Sequence, residues 1–196
     1  MDKQKLVNEI QHFQMYLSTI ISNLRLNAAI CDFYENDTKS FNRYGICLGN
    51  ISDALNYRQH MLCYLLFFDD KESKSIPKFL RRVQDTKIVS DKAIDLKLKK
   101  IATDVCEKIS EIQTDLDSLF EFRYNVYAHW NPKLFESEWQ KKFSEQNKFD
   151  YEKIINLCNY CFSSFSEMLT MLNEEAFTKA VITQSSIDSF IKNLKR

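Results

Sequence analysis

The sequence predicts an all-α fold, an antiparallel bundle of mostly long helices joined by short loops. Three observations carry this reading. Apolar residues recur at steps of three and four over long stretches, which marks one face of a helix. Only two glycines and two prolines occur in 196 residues. Hairpin-rich sandwiches, dinucleotide folds and phosphate loops all need more of them, for tight turns and for backbone at positive φ. Finally, 44% of the chain is hydrophobic and 28% charged, a balance that supports a packed core rather than a disordered chain.

The elements follow in order. Leu6, Ile10, Phe13, Leu17, Ile20/Ile21, Leu24 and Ala28 define a first helix from about residue 2 to 35. Asn36-Asp37-Thr38 is a turn signal. A second helix is expected over about 39–68, with Gly45 and Gly49 on one face as a mark of close helix packing or a kink. Asp69 to Lys74 is a charged loop, and Ser75-Ile76-Pro77 opens a short helix with Ser75 as its cap. Ser90-Asp91 caps a long helix expected over 91–130. Its stripe of Ile94, Leu98, Ile101, Val105, Ile109, Ile112, Leu116 and Leu119 is the clearest in the chain. Asn131-Pro132 ends it, because the residue before proline is driven out of the α region. A linker containing Trp139 leads to a helix over about 150–173, and a last helix over 174–194 ends in a basic tail. We expect one domain over 1–196, its core at about 39–173, with 174–196 as C-terminal helix and tail.

Lysine plus arginine and aspartate plus glutamate each total 27, so the net charge is zero. Nucleic-acid binding by bulk charge is thereby disfavoured, and any such role must use a local site. The N-terminus MDKQKLVNEIQHF lacks the apolar core of a secretory signal, and MLCYLLFF (61–68) is too short to span a bilayer. The expectation is a cytoplasmic protein with no membrane partner. In that setting the six cysteines, at 31, 47, 63, 106, 158 and 161, read as reduced core residues. Cys158 and Cys161 form a CxxC pair with no second pair or His pair to complete a zinc site. Glu9-x-x-His12 is half of a di-iron motif whose other half is missing. No metal or other cofactor is expected.

One segment breaks the pattern. In FRYNVYAHWNP (122–132) the stripe through Leu116 and Leu119 steps onto Arg123, a charge where an apolar side chain is due. A buried charge needs a carboxylate, carbonyls or a bound anion. Asn125 and His129 are four apart and share a face. Arg123 and His129 point about 120° apart and rise about 9 Å on a straight helix. They converge only if the helix deforms near Asn131-Pro132, or if two copies of the chain pool their residues.

This arrangement resembles the HEPN superfamily, the all-helical domains of prokaryotic defence and toxin–antitoxin systems. The hallmark there is Arg, a polar residue, and His four to six places on, matched here by Arg123-x5-His129. FRYNVYAHW on a long helix, with LLFFDDKESKSIPKFL upstream, is similar to the abortive-infection U-type branch over about residues 50–170. Tyr124 stands directly after the arginine, and Asn125 one place later. The resemblance implies a HEPN-like bundle, a homodimer with facing motifs, and a metal-independent endoribonuclease acting as a toxin or antiphage effector. It also implies a possible nucleotidyltransferase-type antitoxin partner. On that reading His129 transfers protons in attack by the RNA 2′-OH, Arg123 stabilises the phosphate, and Asn125 orients the imidazole or an oxygen. Tyr127, Trp130 and Lys133 are candidates for RNA contact, and the first two also suit core packing. Lys78/Arg81/Arg82, Lys97/Lys99/Lys100 and Lys192/Lys195/Arg196 are basic groups that guide RNA or simply face solvent. The competing reading is a non-catalytic helical interaction module, with His129 at a helix C-terminus and Arg123 tied to a buried acid.

Overall fold

The computed structural model describes residues 2–69, 74–124, 150–176 and 184–194. Among them lie eight helices and no strand: α1 (Lys3–Asn36), α2 (Thr38–Phe41), α3 (Gly45–Phe67), α4 (Ile76–Asp85), α5 (Lys92–Glu111), α6 (Gln113–Phe122), α7 (Tyr151–Met171) and α8 (Gln184–Leu194). The all-α bundle expected from the sequence is the observed architecture. None of these helices is long and apolar enough to cross a membrane.

Short polar residues start the helices. The Asp2, Asp91 and Asp150 carboxylates accept from backbone N–H groups of the first turns of α1, α5 and α7. Such caps satisfy donors that have no intrahelical partner. Asp37 serves twice: its N–H closes α1 on the Phe33 carbonyl, and its carboxylate accepts from Ser40 N–H to open α2. Ser75 occupies the cap position of α4 but makes no side-chain cap. Its carbonyl accepts from Phe79 N–H, while its hydroxyl is buried without a hydrogen bond among the described residues. At the end of α7, Asn173 takes φ 56°. Glu174 N–H then reaches the Leu169 carbonyl at 2.9 Å and Asn173 N–H the Thr170 carbonyl at 3.0 Å. This is a Schellman closure, with Asn in place of the usual Gly.

Helix α1 is the spine. It packs antiparallel along α7 on one side and α3 on the other; α5 covers α7, α4 lies antiparallel on α5, and α6 rests on α3. The main core joins Leu6, Ile10, Leu17, Phe79, Leu98, Leu116 and Phe165, all fully buried, with residues from every helix except α2 and α8. A smaller cluster of Ile30, Phe33 and Leu48 closes the far end, where α8 packs on α1.

Five expectations need correction. The second helix is not continuous. It breaks at 42–44, so Gly45 opens α3 rather than lying inside a longer helix. Among the described residues a side chain at Gly45 would meet only the Phe41 ring of α2 and one at Gly49 would meet nothing, so neither marks a close crossing of long helices. The long helix breaks at Ile112 (φ −113°, ψ 20°), separating α5 from α6. Residues 174–176 are not helical, and the last helix begins at Gln184. Of the six cysteines, all free thiols, Cys63, Cys158 and Cys161 are core residues, Cys106 is half-buried, and Cys31 and Cys47 are exposed.

The turn between α4 and α5 is held by a single buried carboxylate. Asp95 accepts from Ile88 N–H at 2.7 Å and more weakly from Val89 N–H, and Lys99 lies 3.3 Å away. The Ile88 bond, with help from Lys99 and Val89, holds the Asp95 carboxyl below the usual aspartate range against the opposing effect of burial. A depressed carboxyl stabilises the fold above its unfolded pKa, and that contribution is lost as pH falls through the folded value. Asp95→Ala is expected to cost about 1–3 kcal/mol in urea unfolding at pH 7, because it orphans a buried N–H. Lys99→Ala should cost no more than about 1 kcal/mol. The gap between wild type and Asp95→Ala should narrow in acid, and equal losses for the two variants would refute this account of the turn.

Candidate functional site

Arg123 closes α6, its N–H bonded back to the Leu119 and Phe120 carbonyls. At Arg123 and Tyr124 the helical winding loosens to a π turn, a local widening that often accompanies functional positions. The guanidinium lies half-buried against α3. Its carbon sits 4.2 Å from the centroid of the Tyr64 ring, and its Nε is 3.4 Å from the Met61 sulfur. Among the described residues no carboxylate lies within ion-pairing distance of it. The internal acid that the competing reading called for is therefore not found among those residues. A flat cation over a ring is worth roughly 0.5–2 kcal/mol. That is enough to hold the side chain, but it leaves the two terminal nitrogens without a hydrogen bond among the described residues.

The support beneath Arg123 is a row of planar groups. His60, Tyr64 and Phe68 fall four apart on α3 and its cap. Tyr64 stacks on Phe68 at 4.4 Å, and Phe120 meets both edge-on at 5.6 and 5.4 Å. One turn back, the His60 ring stacks on Phe122 at 5.2 Å and meets the Tyr151 ring of α7 edge-on at 6.3 Å. Aromatic pairs of this kind add roughly 0.5–1.5 kcal/mol each beyond their burial. The Arg123 end of α6 is thereby seated on α3.

That position on α3 is itself set by a half-buried polar seam between α1 and α3. Ser52 donates to Asn27 at 2.6 Å, Asn27 to Asn56 at 3.0 Å, and Gln59 to Asn56 at 2.8 Å. The Asn56 carbonyl accepts from His60 Nδ1, which must carry the proton because a carbonyl only accepts.

Of the residues singled out in the sequence, Arg123 is placed as described. Asn125, Tyr127, His129, Trp130 and Lys133 lie outside the described residues. The chain re-enters at Asp150, whose N–H donates to Asp115 at 2.9 Å, and Lys153 lies 3.1 Å from the same carboxylate. The start of α7 is thus tied to α6. Much of the basic surface is already engaged: Arg81 chelates Asp69, Arg82 pairs with Glu9 at 2.7 Å, and Lys99 pairs with Asp95. Cys158 and Cys161 are fully buried in the core. Sequence reasoning missed Met61, Tyr64 and His60 as the seat of Arg123. The visible signal was the four-residue spacing of His60, Tyr64 and Phe68. No family model matches the chain, and no curated protein or solved structure matches it either.

His60 has a measurable consequence. Burial pulls its imidazole down to about 4, against the smaller opposing pull of the Asn56 carbonyl. Between pH 6.5 and 4 the unfolded chain takes up a proton that the folded chain refuses, so stability falls as pH drops through that window. At about 1.4 kcal/mol per unit the loss reaches roughly 2 kcal/mol by pH 5. The stability difference between wild type and His60→Phe should shift by that amount between pH 7 and 5 in urea titrations. Parallel pH dependence of the two would contradict the buried neutral imidazole.

Proposed function

We propose that the protein is a metal-independent endoribonuclease of HEPN type, acting as a toxin or antiphage effector in a bacterial cytoplasm. The observation that carries the reading is the state of Arg123. It is held over the Tyr64 ring, and among the described residues it has no acid partner and no hydrogen bond to its outer N–H groups. A guanidinium so held offers the fork geometry that fits two phosphate oxygens. The resemblance of Arg123-x5-His129 to the superfamily motif supplies the second half of the site. RNA cleavage through the 2′-OH needs a group titrating near neutrality, and His129 fills that role. Arg123 stabilises the charge developing on phosphorus, and Asn125 orients the imidazole. Tyr127, Trp130 and Lys133 contact the RNA. Two copies facing each other pool their residues, which removes the divergence of Arg123 and His129 on one straight helix. A nucleotidyltransferase-type antitoxin is the natural neutralising partner.

A second reading is favoured by the same contact. Stacking on Tyr64 also explains why Arg123 interrupts an apolar stripe in a helical module that cuts nothing and instead binds a partner or nucleic acid.

Purified chain incubated with total RNA in excess chelator should generate fragments with 2′,3′-cyclic phosphate ends. His129→Ala and Arg123→Ala should each lower the rate by ~100-fold or more, the usual scale for losing a general acid–base or charge-stabilising group. Expression of wild type, but not of His129→Ala, should arrest bacterial growth. Equal growth effects of the two proteins, with intact RNA, would replace the nuclease with the interaction module.

Assembly gives a separate check. Light scattering at micromolar concentration should give a mass near twice the 23.3 kDa chain. A single-chain mass would remove the composite site.

A further inference from the structure

A cleft of about 590 Å³ opens where the first half of α1 meets the end of α3 and the α4 region. That volume lies within the usual range for small-molecule sites. It is remote in sequence from the Arg123 motif, and the inference below does not depend on RNA cleavage.

The cleft has two chemically different sides. Phe13 and Leu66 are buried beneath it, and Leu65 stands in its wall with 54% of its surface exposed. His12 and Tyr16, four apart on α1, meet edge-to-face at 4.6 Å and extend the apolar side with rings. The other side is charged, and one of its two acids is already paired. Glu9 is held by Arg82 at 2.7 Å, an ion pair that ties α1 to α4 and fixes two walls. Asp2 caps α1 through Gln4 N–H. Lys5 and Lys74 line the same space and take part in no ion pair among the described residues. Among the described residues three cations, Lys5, Lys74 and Arg82, share the cleft with two carboxylates, Asp2 and Glu9, a net +1.

We propose that this cleft binds a small amphiphilic anion. An aryl or acyl body lies against Phe13, Leu65, Leu66 and Tyr16, and a carboxylate or phosphate monoester faces Lys5 and Lys74. Burying the body removes the exposed Leu65 from water, at roughly 25 cal/mol per Å². The head group supplies the counter-charge that Asp2 and Glu9 do not. A purely apolar ligand would leave two lysines unanswered, and inorganic phosphate would leave the apolar wall wet.

The test uses the full chain and the fluorescent anion anilinonaphthalene sulfonate. One saturable site per chain is expected, with displacement by decanoate or by 1-naphthyl phosphate but not by equal inorganic phosphate. Which of the two displaces better separates acyl from aryl bodies. Lys5→Ala/Lys74→Ala and, separately, Leu65→Glu should each weaken binding tenfold or more. All three side chains are exposed, so urea midpoints should stay at the wild-type value and confirm the fold. Absence of a saturable site, displacement by neither organic anion, or unchanged affinity in either variant would overturn the proposal.

Discussion

Sliding one long helix past another by a turn moves it about 5.4 Å and brings one set of leucines and isoleucines opposite another. Apolar contact alone resists such slippage poorly, and α1 is 34 residues long with partners on two sides. Buried amides resist it well, because an unmatched one costs about 1–3 kcal/mol in a place water cannot reach. Gln14 donates to the Phe162 carbonyl at 3.3 Å and to Ser166 at 2.8 Å, which fixes α1 against α7. Asn27 engages Ser52 and Asn56 and fixes α1 against α3. The two registers then decide where everything else falls. With Asn56 in place, His60 and Tyr64 are in place one and two turns on, and the planar row that receives Phe122 and Arg123 is set.

The parts of this fold visible in the sequence are those governed by period. Leu98, Ile101, Val105, Ile109, Ile112, Leu116 and Leu119 are all buried as their spacing requires. The break at Ile112 was invisible for an instructive reason. No glycine or proline marks it, and Ile109, Ile112 and Leu116 stay buried across it, so tertiary packing preserves the stripe while the backbone ladder lapses for one residue. Gly45 and Gly49 misled in the opposite direction. Their spacing suggested a close crossing or a kink, but among the described residues only the Phe41 ring of α2 comes near Gly45 and nothing comes near Gly49. Arg123 was visible as an anomaly because a cation breaks the stripe. Its seat was not, since Met61 and Tyr64 lie about 60 residues upstream and no local pattern names a partner at that range. The seam of Asn27, Ser52, Asn56 and Gln59 was hidden similarly: amides on a helix read as solvent-facing until two of them meet.

Neutral net charge conceals how the charges are used. Arg81 with Asp69, Arg82 with Glu9, and Lys153 with Asp115 each join separate segments of the chain. Exposed pairs of this kind contribute about 0–1 kcal/mol apiece, so they orient more than they stabilise. Their larger effect is subtractive: with Glu9 held by Arg82, Lys5 and Lys74 keep no ion pair among the described residues at one cleft. Arg123 reaches a similar condition by another route, because the group it rests on is a ring rather than a carboxylate.

That difference bears on what a guanidinium can do. An arginine clamped by an acid has its charge answered and its donors spent. A freely solvated arginine keeps both, but must lose up to about 2 kcal/mol of rotamer entropy on engaging an anion. Resting on Tyr64 and Met61, Arg123 has given up part of that freedom in the folded state, while its charge and outer donors stay unanswered among the described residues. Pre-organisation of this kind raises affinity by lowering the cost of ordering rather than by adding contacts. The seat also depends on α3 staying in register, since Tyr64 is held by the same helix as Asn56. Loosening the distant Asn27–Asn56 bond would therefore disturb the plane on which Arg123 lies, even though no atom of that seam touches the arginine.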